Sequence, residues 1–101
     1  MKYEMVLCVI NAGHFQDVID AARKAGATGG TLIKAHGTAK IDAENHFNIP
    51  IQSEKEIVMI IVKKDVKDSV LRAVYESSGL DTEKQGIAFS MPVDSAVGLE
   101  K

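Results

Sequence analysis

The residues of this chain best suited to contact a ligand are short runs of glycine and threonine. Residues 28–31 read TGGT, and Gly37-Thr38 again pairs a glycine with a hydroxyl. Glycine lets a ligand approach the main chain closely, and a hydroxyl can donate a hydrogen bond to a phosphate or a ribose. The same composition is also typical of an ordinary loop after a helix. These runs are therefore binding candidates, with a plain turn as the alternative.

The histidines and the cysteine show no pattern of a metal or catalytic site. His14, His36 and His46 are too widely spaced for any two to share a helical turn. We expect solvated histidines, with His36 as a candidate anion contact. Cys8 lies among aliphatic residues, which favours a buried thiol acting as a small hydrophobic group. No Ser/His/Asp order, carboxylate pair or phosphate-binding P-loop is present, so we expect no enzyme activity.

The composition is that of a globular domain. Of the 101 residues, 46% are hydrophobic and 26% are charged, with a net charge of −2. These values disfavour both disorder and a nucleic-acid partner. A single cysteine excludes an internal disulfide. No apolar run approaches the roughly 20 residues that cross a bilayer. We expect one cytoplasmic domain over residues 1–101, without direct membrane insertion.

The elements that must position the candidate residues follow from hydrophobic periodicity. Four short aliphatic runs predict strands, and two segments with apolar residues every three or four positions predict helices. We place Asp65 as the N-cap of the second helix, and Gly26 and Gly79 after the helix ends. The strands are predicted at 3–10, 31–36, 57–62 and 87–93, the first helix at 14–24, and a long loop at 37–54.

This order predicts an α+β fold, the ferredoxin-like βαββαβ arrangement, with both helices on one face of an antiparallel sheet. In the first and third strands both alternating sets of side chains are apolar, as in residues 57–62 (IVMIIV). Two short helices cover only one face. The other face therefore needs a partner, and we predict a homo-oligomer. The triplet 54–56 (EKE) is expected to be an exposed entry to the third strand.

Three stretches of the chain resemble PII-type nitrogen regulatory proteins, and more closely a divergent PII-like branch with a short loop. They are residues 21–39 (AARKAGATGGTLIKAHGTA), 49–65 (IPIQSEKEIVMIIVKKD) and 86–99 (GIAFSMPVDSAVGL). The resemblance implies a homotrimer whose sheets pack around the threefold axis. It also implies that a small effector, typically an adenine nucleotide, binds in the clefts between subunits. The long loop then regulates a transporter or an enzyme, in nitrogen metabolism or transport.

The resemblance also implies a nucleotide site. Ile87 stands where the family carries a phosphate-binding lysine, and residues 98–101 (GLEK) do not carry the family's basic pair. Because a triphosphate needs several cationic or amide donors, AMP or ADP is favoured over ATP, and no cofactor is required. The implied nucleotide-binding residues are Thr28, Gly29, Gly30, Thr31, His36, Gly37, Thr38, Met59, Ile61, Gln85, Gly86 and Ile87.

The loop is implied to bind the regulated partner, with Lys40, His46 and Phe47 as candidate contacts. It contains no tyrosine, since the chain's tyrosines are Tyr3 and Tyr75. Control by uridylylation of a loop tyrosine, as in some members of the family, is therefore not expected.

Two alternatives share the same architecture. One is a metal-binding trimer similar to the divalent-cation tolerance proteins, which would use His36 and His46. The other is a small enzyme on a ferredoxin-like scaffold, which would need an acid–base pair in a cleft. The fold alone does not decide among these functions.

Overall fold

The computed structural model describes residues 2–37, 54–79 and 86–99. The strands are β1 (Tyr3–Asn11), β2 (Thr31–His36), β3 (Glu54–Lys63) and β4 (Ile87–Pro92), and the helices are α1 (Phe15–Lys24) and α2 (Lys67–Ser78). A 3₁₀ turn, Lys64–Val66, joins β3 to α2. Five of the predicted site residues lie outside the described residues: Thr38, Lys40, His46, Phe47 and Gln85.

The strands form one antiparallel sheet in the order β2-β3-β1-β4. The central strands are β1 and β3, so Leu7 of β1 lies opposite both Met59 of β3 and Phe89 of β4. Each helix connects one central strand to one edge strand, and the two helices pack against each other. The predicted ferredoxin-like βαββαβ fold of the α+β class is confirmed.

The element ends follow the local sequence signals, with two exceptions. As predicted, α1 ends before Gly26, whose φ of +119° is a conformation that favours glycine. Asp65, however, is not the N-cap of α2. It lies in the 3₁₀ turn, and Val66 precedes α2 without a side-chain cap. The other exception is β3, which begins earlier than predicted because it stays paired with β2 as far as Glu54, opposite His36.

One face of the sheet and the inner sides of both helices form the core. Cys8, in the middle of β1, is fully buried, and its Sγ lies 3.3 Å from Ser78 Oγ. Burial raises the pKa of the Cys8 thiol, so it is uncharged at neutral pH and packs as a small hydrophobic group. The sheet contributes Val6, Cys8, Ile10, Val58, Ile60 and Val62, and the helices contribute Val18, Ile19, Ala22, Val70 and Val74.

The opposite face of the sheet, called the open face below, is also apolar. Among the described residues neither helix covers it, because α1 and α2 both pack on the core side. Ile87 and Phe89 of β4 are 54% and 42% exposed. The prediction of an apolar sheet on both sides is confirmed. The open face comprises Met5, Leu7, Val9, Ile33, Ile57, Met59, Ile61, Ile87, Phe89 and Met91.

Glu56 is buried, which corrects the expectation that residues 54–56 are an exposed strand entry. Its Oε1 accepts hydrogen bonds from the backbone N–H groups of His14 (3.3 Å) and Phe15 (3.1 Å). The side chain of His14, the N-cap residue, does not cap α1. A strand residue distant in sequence therefore caps α1, and its carboxylate also suits the positive end of the helix dipole.

Glu56→Ala is expected to lower the free energy of unfolding by about 1–2 kcal/mol, because two N–H groups of α1 lose their acceptor. Urea unfolding at a fixed protein concentration measures this loss. The matched control is Glu76→Ala, which removes an exposed carboxylate from α2. If the two variants were equally stable, the capping role of Glu56 would be wrong.

Gly30, just before β2, lies close to both α1 and β3. A Cβ atom at this position would stand 2.7 Å from Ile19 Cδ1 and 3.1 Å from both Ile60 Cγ1 and the Met59 carbonyl oxygen. At Gly29 the nearest neighbour is the end of an arginine side chain, 3.7 Å away. The packing of α1 on the sheet therefore leaves less room for a side chain at position 30 than at position 29.

Gly30→Ala is expected to cost about 1–3 kcal/mol of stability, because the added methyl group overpacks the junction between α1 and the sheet. Gly29→Ala, the neighbouring control, is expected to change stability by less than about 0.5 kcal/mol. Thermal unfolding of both variants compares them directly. Similar midpoints for the two would contradict the close approach at Gly30.

Candidate ligand-binding site

A cavity of about 340 Å³ lies at the end of the sheet where α1 turns back into β2 and where β3 ends. Its volume falls within the range of about 300–1,000 Å³ that is usual for small-molecule sites. Four segments build it: the start of β1, the turn after α1, the end of β3 with the 3₁₀ turn, and the C-terminal segment. The lining residues are Tyr3, Gly26, Ala27, Thr28, Ile61, Val62, Lys63, Asp65, Val66 and Leu99.

The turn after α1 forms one wall of the cavity. The N–H group of Ala27 donates to the carbonyl of Ala22 at 3.0 Å, and the buried Ala27 side chain joins the core. A Cβ atom on Gly26 would already touch Val66 at 3.4 Å. These contacts fix the backbone of the turn, so that the exposed Thr28 lies on the cavity wall.

The end of β3 forms the facing wall. Lys63 pairs with Tyr3 of β1, and the N–H group of Lys64 donates to the carbonyl of Lys2 at 2.7 Å. Ile61, on the open face, is half-buried and also lines the cavity. The last residues of β3 therefore contribute Ile61, Val62 and Lys63 to the lining.

The chemistry of the lining suits a ligand with an apolar part and a polar edge. Ala27, Ile61 and Leu99 are apolar, whereas Tyr3 and Thr28 supply hydroxyl groups. Lys63 is a cation and Asp65 is an anion, so the charges of the lining nearly balance. Such a lining accommodates a group of low net charge more readily than a dense cluster of negative charge.

The predicted binding residues fall into two groups at different ends of the sheet. The first group lies near the cavity: Thr28 and Ile61 line it, Gly29 and Gly30 continue the same turn, and Thr31 pairs with Met59 on the neighbouring strand. Thr31 is exposed, so its hydroxyl is accessible. The chain therefore brings Thr28, Gly29, Gly30, Thr31, Met59 and Ile61 together.

The second group lies toward the other end of the sheet. His36 is five residues from Thr31 along β2, or about 16 Å at the usual rise of a strand. Its Nδ1 lies 3.1 Å from Glu54 Oε1, and Gly37 follows it. Ile87 begins β4 opposite Val9, and Gly86 precedes it. A single chain therefore does not bring His36, Gly37, Gly86 and Ile87 to the cavity.

Several cavity residues were not among the predicted site residues, namely Tyr3, Lys63, Asp65 and Leu99. Asp65 was expected to cap a helix. For Lys63 and Asp65 the available signal was their position at and just after the end of a buried strand, because the end of a central strand often borders a cleft. For Leu99 the sequence contains no such signal, since its place depends on how the chain runs after β4.

The metal-binding alternative receives no support from the described residues, and His46, one of its two candidate ligands, lies outside them. Within residues 2–37, 54–79 and 86–99, no group of three or more His, Cys, Asp or Glu side chains is placed to hold a metal ion. His14 precedes α1 as its N-cap, and His36 contacts Glu54.

The helices of the described ranges are too short or too polar to cross a membrane.

Comparisons with known proteins identify the family. A family model described as nitrogen regulatory protein P-II matches residues 3–101. Among solved structures, the chain is similar to PII of Arabidopsis thaliana in a crystal structure with bound citrate, with 25% sequence identity, a TM-score of 0.68, and coverage of 91% of this chain and 75% of that chain. No curated protein matches the chain at a significant level. Because this match extends from β1 to the C-terminal segment, the chain belongs to the P-II nitrogen regulatory protein family.

Proposed function

We propose that this chain is a trimeric PII-type sensor that binds a small effector between subunits and thereby regulates a partner protein. AMP or ADP is the favoured effector. The predicted binding residues are divided between the two ends of the sheet, and this observation carries the proposal. Only a second copy of the chain can bring the two groups into one cleft.

The open face supports association of copies. Its ten large apolar side chains come from all four strands, and those of β4 are about half exposed. A patch of this extent is unfavourable on an isolated soluble protein. Burying each side chain fully contributes roughly 1.5–3 kcal/mol. Packing of the open faces of three copies around a common axis would cover them, in line with the trimer typical of the family.

The cavity supports a small effector with a flat ring and few charges. The backbone at the end of β3 can hydrogen-bond to the edge of a base, while Ala27 and Ile61 contact its faces. Thr31 and Thr28 supply hydroxyls for a ribose or phosphate. Lys63 is the cation of the described lining, and Ile87 cannot add another. This donor set fits one or two phosphates better than three.

The structure of Arabidopsis PII contains citrate, a small anion, so anionic metabolites are a second effector class to test. For the regulated partner we propose a transporter or an enzyme of nitrogen metabolism, contacted through the loop at 37–54 that includes Lys40, His46 and Phe47. In this role the protein is a cytoplasmic regulator and not an enzyme. Effector binding would act by favouring one conformation of the loop over another.

Association through the open face predicts a particle of about three times 10.9 kDa in sedimentation experiments at micromolar concentration. Phe89→Glu, which places a charge on the open face at the edge strand β4, is expected to dissociate it. Tyr75→Glu is the matched control, because Tyr75 is a similarly exposed aromatic residue on α2. A monomeric wild-type protein, or dissociation by both variants alike, would contradict the assembly.

Effector binding is testable by calorimetry with AMP, ADP, ATP and citrate, each titrated into the intact protein. We expect AMP or ADP to bind more tightly than ATP. Thr31→Val is expected to weaken nucleotide binding about tenfold or more, because a hydrogen bond to a charged group is lost. Ser69→Ala, which removes an exposed hydroxyl from α2, is the control. If none of the three nucleotides bound, the nucleotide proposal would be refuted.

A further inference from the structure

The last described residues, 94–99, follow β4 and end beside the cavity. The N–H group of Val93 donates to the carbonyl of Tyr3 at 3.2 Å, which is the last backbone hydrogen bond of β4 with β1. No backbone hydrogen bond joins residues 94–99 to another described residue. The side chain of Leu99 nevertheless lies in the cavity wall, together with Ile61 and Ala27. Residues 94–99 are called the strap below.

Two neighbouring apolar residues of the strap have very different surroundings. Val97 is 99% exposed, whereas Leu99 is 37% exposed. Gly98 lies between them with a φ of +94°, a conformation that glycine adopts without strain. This turn directs Leu99 toward the cavity while Val97 faces solvent. Leu99 is therefore the residue of the strap that contributes to the cavity wall.

The cavity retains about 340 Å³ with Leu99 in its wall, so a ligand does not need to displace the strap. A flat apolar group bound against Ile61 and Ala27 would instead cover the remaining exposed surface of Leu99. This contact involves only apolar atoms and contributes nothing to a bare anion. Leu99 therefore distinguishes a ligand that carries a ring from one that carries only charge.

We propose that the strap is an apolar lid, and that Leu99 is a specificity-determining residue that contacts the ring of the effector and selects ring-bearing ligands over bare anions. This inference rests on the proposed nucleotide site. It assigns to the C-terminal segment a role in recognising the base rather than the phosphates. Binding of the ring also orders residues 94–99, because it increases the buried surface of Leu99.

The test is calorimetry on the full-length protein with ADP, adenosine and pyrophosphate as probes. Leu99→Ala is expected to weaken ADP and adenosine binding by about three- to tenfold, in line with the loss of a partly buried aliphatic contact. Pyrophosphate affinity is expected to stay unchanged. Leu99→Met, which preserves the volume, is expected to retain most of the affinity for both ring-bearing probes. Val97→Ala, in the same strap, is the control and is expected to match the wild type.

The possible failures are distinguishable. If ADP binds the wild type and Leu99→Ala leaves that affinity unchanged, or lowers pyrophosphate affinity equally, the lid is refuted and the nucleotide site stands. If neither ADP nor adenosine binds the wild type, both proposals are refuted. Hydrogen exchange gives a second readout: ADP is expected to slow exchange of the strap amides in the wild type and not in Leu99→Ala. Equal slowing in both proteins would overturn the role of Leu99.

Discussion

A small sheet that is apolar on both sides is the constraint on which the rest of this structure depends. Every position from Ile57 to Val62 carries a large apolar side chain, so neither orientation of β3 leaves a polar side for water. Two short helices cover one face and form the core against it. The other face has no cover within the described chain. This pattern therefore produces a fold in which helices cover one face of the sheet, while the other face stays uncovered within the described residues.

The register of the strands determines where polar groups lie on this sheet. The open face is apolar along its middle, so backbone amides, hydroxyls and glycines that can serve a ligand collect at the two ends. Thr28 and Thr31 lie at one end, and Gly37 and Gly86 at the other. A site that uses both sets must be assembled from more than one chain. In the proposed function, assembly and ligand binding both depend on this one arrangement of side chains.

The parts of the fold that the sequence predicts correctly are those specified by local periodicity. The strands, the helix faces and the break at Gly26 depend on residues a few positions apart, and the structure has them close to where they are expected. The role of Glu56 was missed because it depends on a contact with residues 41 and 42 positions away. Nothing in the triplet 54–56 indicates which of its charges turns inward until the pairing of β3 with β1 is known.

The candidate site was likewise predictable only where it depends on local sequence. Glycines and hydroxyls of the turn after α1 are recognisable from their types, and the structure brings Thr28 and Ile61 to one cavity. Asp65 was interpreted as a cap because an aspartate before an amphipathic segment commonly is one. Lys63 and Leu99 reach the cavity only through the register of β1 with β3 and the path of the chain after β4. Such positions are properties of the assembled sheet rather than of any local motif.

A backbone hydrogen bond joins the two ends of the connection between α2 and β4. The N–H group of Gly86 donates to the carbonyl of Ser78, and a side chain at Gly86 would collide with that carbonyl. The ends of the connection are thus joined independently of the residues between them. Lengthening a connection adds only about 0.6 kcal/mol of closure entropy for each doubling. Insertions between Gly79 and Gly86 therefore leave the register of β4 intact, and evolution can alter the groups carried there without rebuilding the domain.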